Sequence, residues 1–498
     1  MSTPAKKDNL KWMVLLTVMV GTFLGRLDQT IVNLALPKMI DDFSITVSAA
    51  GWIATAYILA NAVFVPIWGK LGDSIGRKKV YVIGFAVFIV GSVLAGLAWD
   101  LPSMIVFRVI QAIAGSADYP TAMAILAVTF AQGKDRAQAL GIWSASFAAA
   151  SVFGPLIGGP LIDSFGWRSV FLINLPVGIL GLFMALKYVK ESVSEKKSYV
   201  FDWWGAGTLG AALAAIVLVL DKGNDWGWLS AGSVVSYAAA FAFSAAFFAI
   251  ERRHSEPIVD FKFFKNPLFN GALINNFIIF MGMMGGLFLI PIFAQTFLGY
   301  DATKSGMLFI PMAFCMVLAA AFGGRLTGKV STKAVIFTST LGAAVGLFLF
   351  SFIDARSGAL DIIIPLSVMA FFMGGAMSQR TNMIADAVPR EEIGVASSIL
   401  ALARNIAGAF GIAIFGTLLT QKTESNILAI SQNSVIHATS PAQYQEAIGL
   451  ISLKAQVSAY ATVFLVSSVI VAIGAAFVLF IRFPKHKEGE EKVEVMIE

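Results

Sequence analysis

Gly69-Lys70-Leu71-Gly72-Asp73-Ser74-Ile75-Gly76-Arg77-Lys78-Lys79 is a basic, glycine-punctuated link between two long apolar segments. A link this short between two membrane spans is a tight hairpin, and cations beside span ends are retained on the cytoplasmic side. Lys70, Arg77, Lys78 and Lys79 therefore place it in the cytoplasm. Asp73 breaks the run of positive charge. A carboxylate at a membrane edge can pair with Arg77 or accept hydrogen bonds from the exposed N–H groups of a neighbouring helix start. A loop that only fixed topology would need neither Asp73 nor the glycines Gly69, Gly72 and Gly76, so we expect Gly69, Asp73, Gly76, Arg77 and Lys78 to take part in gating.

The rest of the chain supports a membrane setting. Of its 498 residues 57% are hydrophobic and 13% charged, and the mean hydropathy is +0.79, outside the range of soluble globular domains. The net charge of +6 is not a nucleic-acid signature, because the cations cluster in short links between apolar stretches, where anionic lipid headgroups are their neighbours. Cys315 is the one cysteine, which excludes an intrachain disulfide and a thiolate metal site. His254, His437 and His486 lie outside the apolar segments without metal-ligand spacing, and no phosphate-binding glycine loop is present, so neither a metal, a cofactor nor ATP is expected. Nothing suggests an enzyme. Met1 to Lys11 leads into an apolar stretch too long for a signal-peptide core, so the first span is expected to be retained.

With about 20 apolar residues per spanning helix, fourteen segments qualify: 12–35, 47–68, 79–98, 102–128, 139–162, 168–188, 204–221, 230–250, 269–297, 304–324, 333–353, 361–386, 397–420 and 457–481. An even number puts both termini on one side. Assigning odd-to-even links outside leaves Lys38, Arg168, Lys222, Lys304, Arg356, Lys422 and Lys454 there and the bulk of the cations inside, which predicts cytoplasmic termini. The link from Gly324 to Lys333 matches the Gly69 stretch in register, with Gly328 in the place of Asp73. This weak internal repeat divides the chain into a six-helix part over 1–190, a linker with two inserted spans over 191–265 and a second six-helix part over 266–482, followed by a disordered cytoplasmic tail over 483–498. The long outer loop, about 422–456, could hold a short helix or a hairpin.

Charges inside hydrocarbon are expensive and functional by default. In Leu27-Asp28-Gln29-Thr30-Ile31-Val32-Asn33-Leu34-Ala35-Leu36-Pro37 the carboxylate of Asp28 lies about 12 Å below the outer end of its helix at ~1.5 Å per residue. Arg108, in Arg108-Val109-Ile110-Gln111-Ala112-Ile113-Ala114-Gly115, lies about 10 Å below the outer face of an oppositely directed helix by the same measure. The two can meet, and a guanidinium, charged at any relevant pH, would bias the carboxylate and close a water path. Asp118, nearer the cytoplasm, is a second proton site; alternatively it pairs with Arg380 or Arg404 as a gate. Arg26, Asn33, Gln111, Tyr119, Met284 and Phe288 are candidates to line a substrate cavity, Arg26 alternatively snorkelling and the methionine and aromatic supplying adaptable apolar wall. The fifth segment carries Gly154-Pro155-Leu156-Ile157-Gly158-Gly159, small residues that let helices approach closely beside a proline that bends them.

These stretches appear together in an order that resembles the major facilitator superfamily, and within it the fourteen-span drug/proton antiporter branch (EmrB/QacA-like). The matching elements are the G-x-L-x-D-x-x-G-R-K-K link, the L-D-x-T-I-V-N-x-A-L-P first span, the arginine of the fourth span, where Ala112 departs from the usual glycine, and the G-P-x-x-G-G fifth span. Phe171-Leu172-Ile173-Asn174-Leu175-Pro176 resembles the branch's continuation after that motif, with Ser169 in place of a tryptophan. The resemblance implies an all-α fold of six plus six helices with two inserted, and a site near the membrane midplane between the halves. It also implies a monomeric, proton-coupled exporter of lipophilic or cationic small molecules in a bacterial plasma membrane, with a periplasmic adaptor as a candidate partner. Gly154, Pro155, Gly158 and Gly159 would then belong to the conformational machinery. A facilitator of one metabolite or lipid, including an importer, is the alternative.

Overall fold

The computed structural model describes residues 4–130, 134–192, 202–255, 257–326, 330–377, 379–380, 383, 387–388, 393–433 and 440–481, some helical side chains excepted. Each of the fourteen apolar segments is largely helical over its described residues. Eleven helices among the described residues are long and apolar enough to cross a membrane by length and composition. The other three are not among these eleven. The fourth span is divided into α4 (Leu101–Gly115) and α5 (Asp118–Thr129). The fifth, α6 (Lys134–Phe165), is a 32-residue helix whose side chains are described only in part. The twelfth, α15 (Ala359–Gly375), is short within its described part.

The remaining elements, in chain order, are α1 (Pro4–Phe43), α2 (Val47–Ile75), α3 (Arg77–Gly96), α7 (Ser169–Leu172), α8 (Asn174–Tyr188), α9 (Trp203–Trp226), α10 (Ala231–Glu251), α11 (Pro267–Phe297), α12 (Ala302–Met307), α13 (Phe309–Leu326), α14 (Thr332–Leu349), α16 (Ile393–Asn433) and α17 (Pro441–Phe480). The face from which α1 starts is called the N-terminal face, and the opposite one the distal face. Side-chain caps mark where the chain re-enters the bundle, because the first N–H groups of a helix need acceptors. Thr46 accepts from Ala49, Asp100 from Ser103, Asn266 from Leu268, Asp301 from Lys304 and Ser440 from Gln443.

The break between α4 and α5 has a sequence cause. Pro120 has no N–H to give to the preceding turn and its ring crowds that turn's carbonyl, so the helix stops at Gly115 and restarts at Asp118. The consequence is functional, since Asp118 stands at the restart.

The question left open over 422–456 is answered by α16 and α17, which run on beyond their apolar spans and place exposed residues such as Leu428, Tyr444 and Leu450 on two helical extensions. The sequence from Ser440 to Lys454 looked like loop only because it lacks an apolar face, and it is helical as the continuation of a span that supplies the nucleus.

Packing separates three roles. Ile31, Leu34 and Leu36 of α1, Phe288 and Phe293 of α11, Phe415 of α16 and Phe464 of α17 belong to one apolar core that fills the distal half of the bundle. A second core joins Leu59 and Val63 of α2, Leu209 and Leu213 of α9, and Ile399 and Leu400 of α16. α9 thus packs on both α2 and α16, while α10 packs against α9 and turns most of its residues outward.

The quoted link around Gly76 is also clear in outline. Gly76 has φ +119°, a conformation that side chains rarely adopt, and the Glu191 carboxylate sits 2.6 Å from where a Cβ would be. Glu191 accepts from the N–H groups of Lys78 (3.0 Å) and Lys79 (3.2 Å) at the start of α3, while the Arg77 N–H donates to Ser192 O at 3.0 Å. The carboxylate expected to meet a helix start here was that of Asp73; the one found at the start of α3 is Glu191, which the sequence did not single out. The Asp73 side chain, and those of Gly394 to Ser398 apart from Ala396, lie outside the described residues, as does the tail over 483–498.

Candidate functional site

Asp28 and Arg108 meet. Arg108 Nη1 donates to Asp28 Oδ2 at 2.6 Å and to Gln111 Oε1 at 2.7 Å, Gln111 Nε2 donates to Asp28 Oδ1 at 2.9 Å, and both charged side chains are essentially solvent-free. α4 places Arg108 and Gln111 three residues apart on one face, which is why a single carboxylate reaches both. Asn174 Nδ2 adds a third donor to Asp28, at 3.0 Å, and also donates to Ser92 Oγ at 2.8 Å; Ser92 in turn donates to Phe171 O at 2.9 Å. The guanidinium lies over the Tyr57 ring at 4.0 Å, a favourable position for a desolvated cation. Four helices, α1, α3, α4 and α8, thus converge on one fully buried carboxylate. Both of its oxygens are occupied as acceptors, so protonation there would weaken the charge-assisted contacts that hold Arg108, Gln111 and Asn174 in place.

Asp118 is different. Thr22 Oγ1 donates to its Oδ2 at 2.7 Å and itself accepts from Trp143 Nε1 at 3.0 Å, while Asp118 Oδ1 is buried without a hydrogen-bond partner. That oxygen looks into a crevice bordered by Gly21, Gly25, Tyr81 and Gly115. The pairing with Arg380 or Arg404 raised by the sequence is not made. Arg380 is buried against α14 and α15, where it donates to Ser339 Oγ at 3.1 Å and to Met373 O. Arg404 Nε donates to Asn276 Oδ1 at 3.3 Å, and its guanidinium lies over the Phe280 ring at 5.0 Å. Asp118 stays apart because its own helix restart points it toward α1, where Thr22 waits.

The other candidates divide. Arg26 is exposed and donates to Gln29 Oε1 at 3.2 Å, Asn33 is partly buried, and Tyr119 is exposed beside Trp143, their ring centroids 5.3 Å apart. Met284 packs on Gly408, 3.1 Å from the position of a Cβ there. Phe288 does not line a cavity: it is fully buried between Gly51 of α2 and Gly416 of α16, because both facing positions are glycines and the ring fills the space they leave.

The glycine-proline helix touches two partners. Gly154 meets Thr30, and a Cβ on Gly158 would lie 2.9 Å from Ile31, so this face of α6 rests on α1 beside Asp28. Gly159 lies against the Thr303 backbone, and Gly306 against Pro155 O at 2.6 Å from a would-be Cβ. Just beyond, Asp163 accepts from Ala302 N (3.0 Å), Thr303 N (2.9 Å) and Thr303 Oγ1 (2.6 Å). Gln295 Nε2 donates to Leu34 O at 3.0 Å, and Ser48 lies 3.2 Å from Thr417. Every hydrogen bond described between the first six spans and the last six lies in the distal half of the bundle.

Sequence reasoning missed Asp163, Asn174 and Asp221. Asp221, near the end of α9, is buried and accepts from Ser48 Oγ and from Trp52 Nε1, the latter at 2.8 Å. Asn174 was inside the quoted Ile173-Asn174-Leu175-Pro176 run, which was the one available signal for it.

The profile of the Major Facilitator Superfamily matches residues 18–412. The multidrug transporter protein MdtP of Bacillus subtilis (strain 168) is 32% identical over 418 residues, which is 84% of this chain and 77% of that protein. The riboflavin transporter RibZ of Clostridioides difficile (strain 630) is 28% identical over 417 residues, 84% of this chain and 90% of that one. Among solved structures, a bacterial homologue of the human lysosomal transporter Spinster, inward-facing and occupied, superposes with a TM-score of 0.68 at 16% identity, covering 96% of this chain and 97% of the other.

Proposed function

The chain belongs to the Major Facilitator Superfamily, in its fourteen-span drug/proton antiporter branch, and on that premise we propose that it is a proton-coupled exporter of small lipophilic molecules working by alternating access. The relatives support the export direction, since the chain is similar along most of its length to a protein named for tetracenomycin C resistance and export. The basic links support cytoplasmic termini, which makes the N-terminal face cytoplasmic and the distal face external. The hydrogen bonds across the distal half then correspond to a state closed to the outside.

One observation carries the coupling scheme: of two carboxylates in the same half of the molecule, Asp28 is fully buried and paired, whereas Asp118 is partly buried and keeps one oxygen without a partner. Asp28 has a guanidinium and two amides, so it acts as the fixed centre on which α1, α4 and α8 are assembled. Asp118 keeps an oxygen without a partner beside a crevice, and it can take up or release a proton by reorganising a single hydroxyl contact. Of the two carboxylates expected to couple protons, Asp118 is therefore the carrier and Asp28 its structural counterpart.

The test is transport in proteoliposomes with an imposed pH gradient. Asp118→Asn should still exchange a fluorescent lipophilic probe across the membrane at equilibrium but should not accumulate it against its gradient. Gradient-driven accumulation at the wild-type level by that variant would remove Asp118 from the scheme. A second reading, transport of one specific metabolite, draws on the similarity to a protein named for riboflavin. A substrate panel separates them, because a specific carrier moves one chemical class and a multidrug exporter several.

A further inference from the structure

Among the described residues, the two arginines enclosed in the last six spans, Arg380 and Arg404, form no ion pair. Arg380 is 4% exposed, and its hydrogen bonds go to Ser339, Thr340 and the Met373 carbonyl, all neutral, with Nε left without a partner. Arg404 donates to the amide oxygen of Asn276 and lies over the Phe280 ring. The two guanidiniums are within electrostatic reach of each other, and no carboxylate among the described residues forms an ion pair with either. A buried or half-buried charge without a counter-ion is unfavourable by several kcal/mol in general, and in a membrane it marks a ligand path by default.

The surroundings of Arg404 give that ligand a shape. Asn276, Phe280 and Met284 follow one another at four-residue intervals and form a single stripe on α11. Arg404 and Gly408 form the facing stripe on α16, with Met284 seated against Gly408. Unlike Arg380, the side chains of Phe280, Met284 and Arg404 are only partly buried, and Tyr119 of α5 stands within electrostatic reach of Arg404. A positive head position thus continues into an apolar, adaptable wall. Asp118, the partly buried carboxylate of α5, is turned to Thr22.

We propose that the substrate is an amphiphile carrying one anionic group, such as a carboxylate, a sulfonate or an ionised phenol, received by Arg404 while Phe280 and Met284 receive its apolar body. This rests on the exporter reading and narrows it, replacing the cationic compounds expected from the family resemblance. Arg380 adds positive potential from behind the site. Export of an anion in exchange for a proton that binds elsewhere, on Asp118, requires no carboxylate at the ligand itself.

Binding decides this proposal and transport decides the previous one, so the two can fail separately. Protein in phosphatidylcholine nanodiscs is titrated with 1-anilinonaphthalene-8-sulfonate, with its uncharged relative N-phenyl-1-naphthylamine and with the cation ethidium, and the signal of empty nanodiscs is subtracted. Wild type should bind the sulfonate tightest. Arg404→Gln should weaken the sulfonate by about tenfold or more and leave the uncharged probe within about twofold, whereas Arg404→Lys should keep part of the preference because it keeps the charge. Equal affinity for the three probes, a preference for ethidium, or an equal loss for all three in Arg404→Gln would overturn the proposal, as would loss of sulfonate binding when phosphatidylglycerol replaces half the lipid, which would assign the site to a lipid headgroup. Should Arg404→Gln fail to fold, Arg380→Gln and the lysine variant carry the same comparison.

Discussion

Two aspartates on neighbouring helices behave oppositely because of what each can reach. Asp28 has Arg108, Gln111 and Asn174 within hydrogen-bond distance, and removing one partner of a buried ion pair costs about 3–5 kcal/mol, chiefly because the other charge is left unpaired. Asp28→Asn should therefore lower the thermal unfolding midpoint clearly, and Arg108→Met in the same chain should restore part of the loss, since a methionine leaves no orphan charge. Asp118→Asn, which strands no cation, should unfold close to wild type. Equal unfolding of the two single variants in scanning fluorimetry would contradict this division. Asp28, Arg108 and Gln111 were legible in the sequence because charge inside an apolar helix stands out. Asn174 and Ser92 were not, since small polar residues are common in membrane helices and only the contact with Asp28 gives them meaning.

At the level of whole helices, the legible part was where apolar residues gather, and the illegible part was how helices end and what they carry there. Asp221 sits beside Lys222 and Asp225, which in sequence looks like a solvated helix end, yet it is buried against Ser48 and Trp52. Its position gives the inserted span a definite task, which is to hold the start of α2 next to α16. Asp221→Asn can still accept from one of the two donors, so it should destabilise by roughly 1–3 kcal/mol and shift the emission of Trp52, while Asp225→Asn, on the exposed turn, should do neither. The small residues of α6 act at the same scale. Gly158→Leu would force a side chain into Ile31 and move α6 off α1, and it should abolish probe transport even where the protein still reaches the membrane. Full transport by Gly158→Leu would show that α6 and α1 need no such closeness. The break at Gly115 was in principle readable from Pro120, but proline also sits unbroken inside α1 at Pro37 and inside α6, and the sequence does not say which prolines a bundle absorbs.

Across the molecule, the first six spans and the last six are tied on the distal face by Asp163, whose carboxylate accepts the first N–H groups of α12 and the Thr303 hydroxyl. The sequence led to an acidic latch on the N-terminal face at Asp73, and the contact that the described residues display is of the same kind on the opposite face. Burial alone would raise the pKa of Asp163, but the hydrogen bonds from Thr303 and Ala302, helped by Lys38, outweigh it and hold the carboxyl below its usual value. The sign of the pH effect follows from linkage. A group whose pKa is depressed in the closed state stabilises that state above its unlatched pKa, and the stabilisation is lost as pH falls through the depressed value. The closed distal face should thus be fully favoured at neutral pH and weaken on acidification below about 4, the ordinary aspartate range. At an exposed helix end such a contact contributes about 0.3–1 kcal/mol, so Asp163→Asn should raise the distal-open population roughly two- to fivefold at neutral pH and make it insensitive to acid in that range. Double electron–electron resonance between spin labels on the distal ends of α6 and α13 reads both effects. A distance distribution identical in wild type and Asp163→Asn at neutral pH, or an acid response that persists in the variant, would show that the distal closure is held by the apolar core around Ile31 and Phe293 and not by this carboxylate.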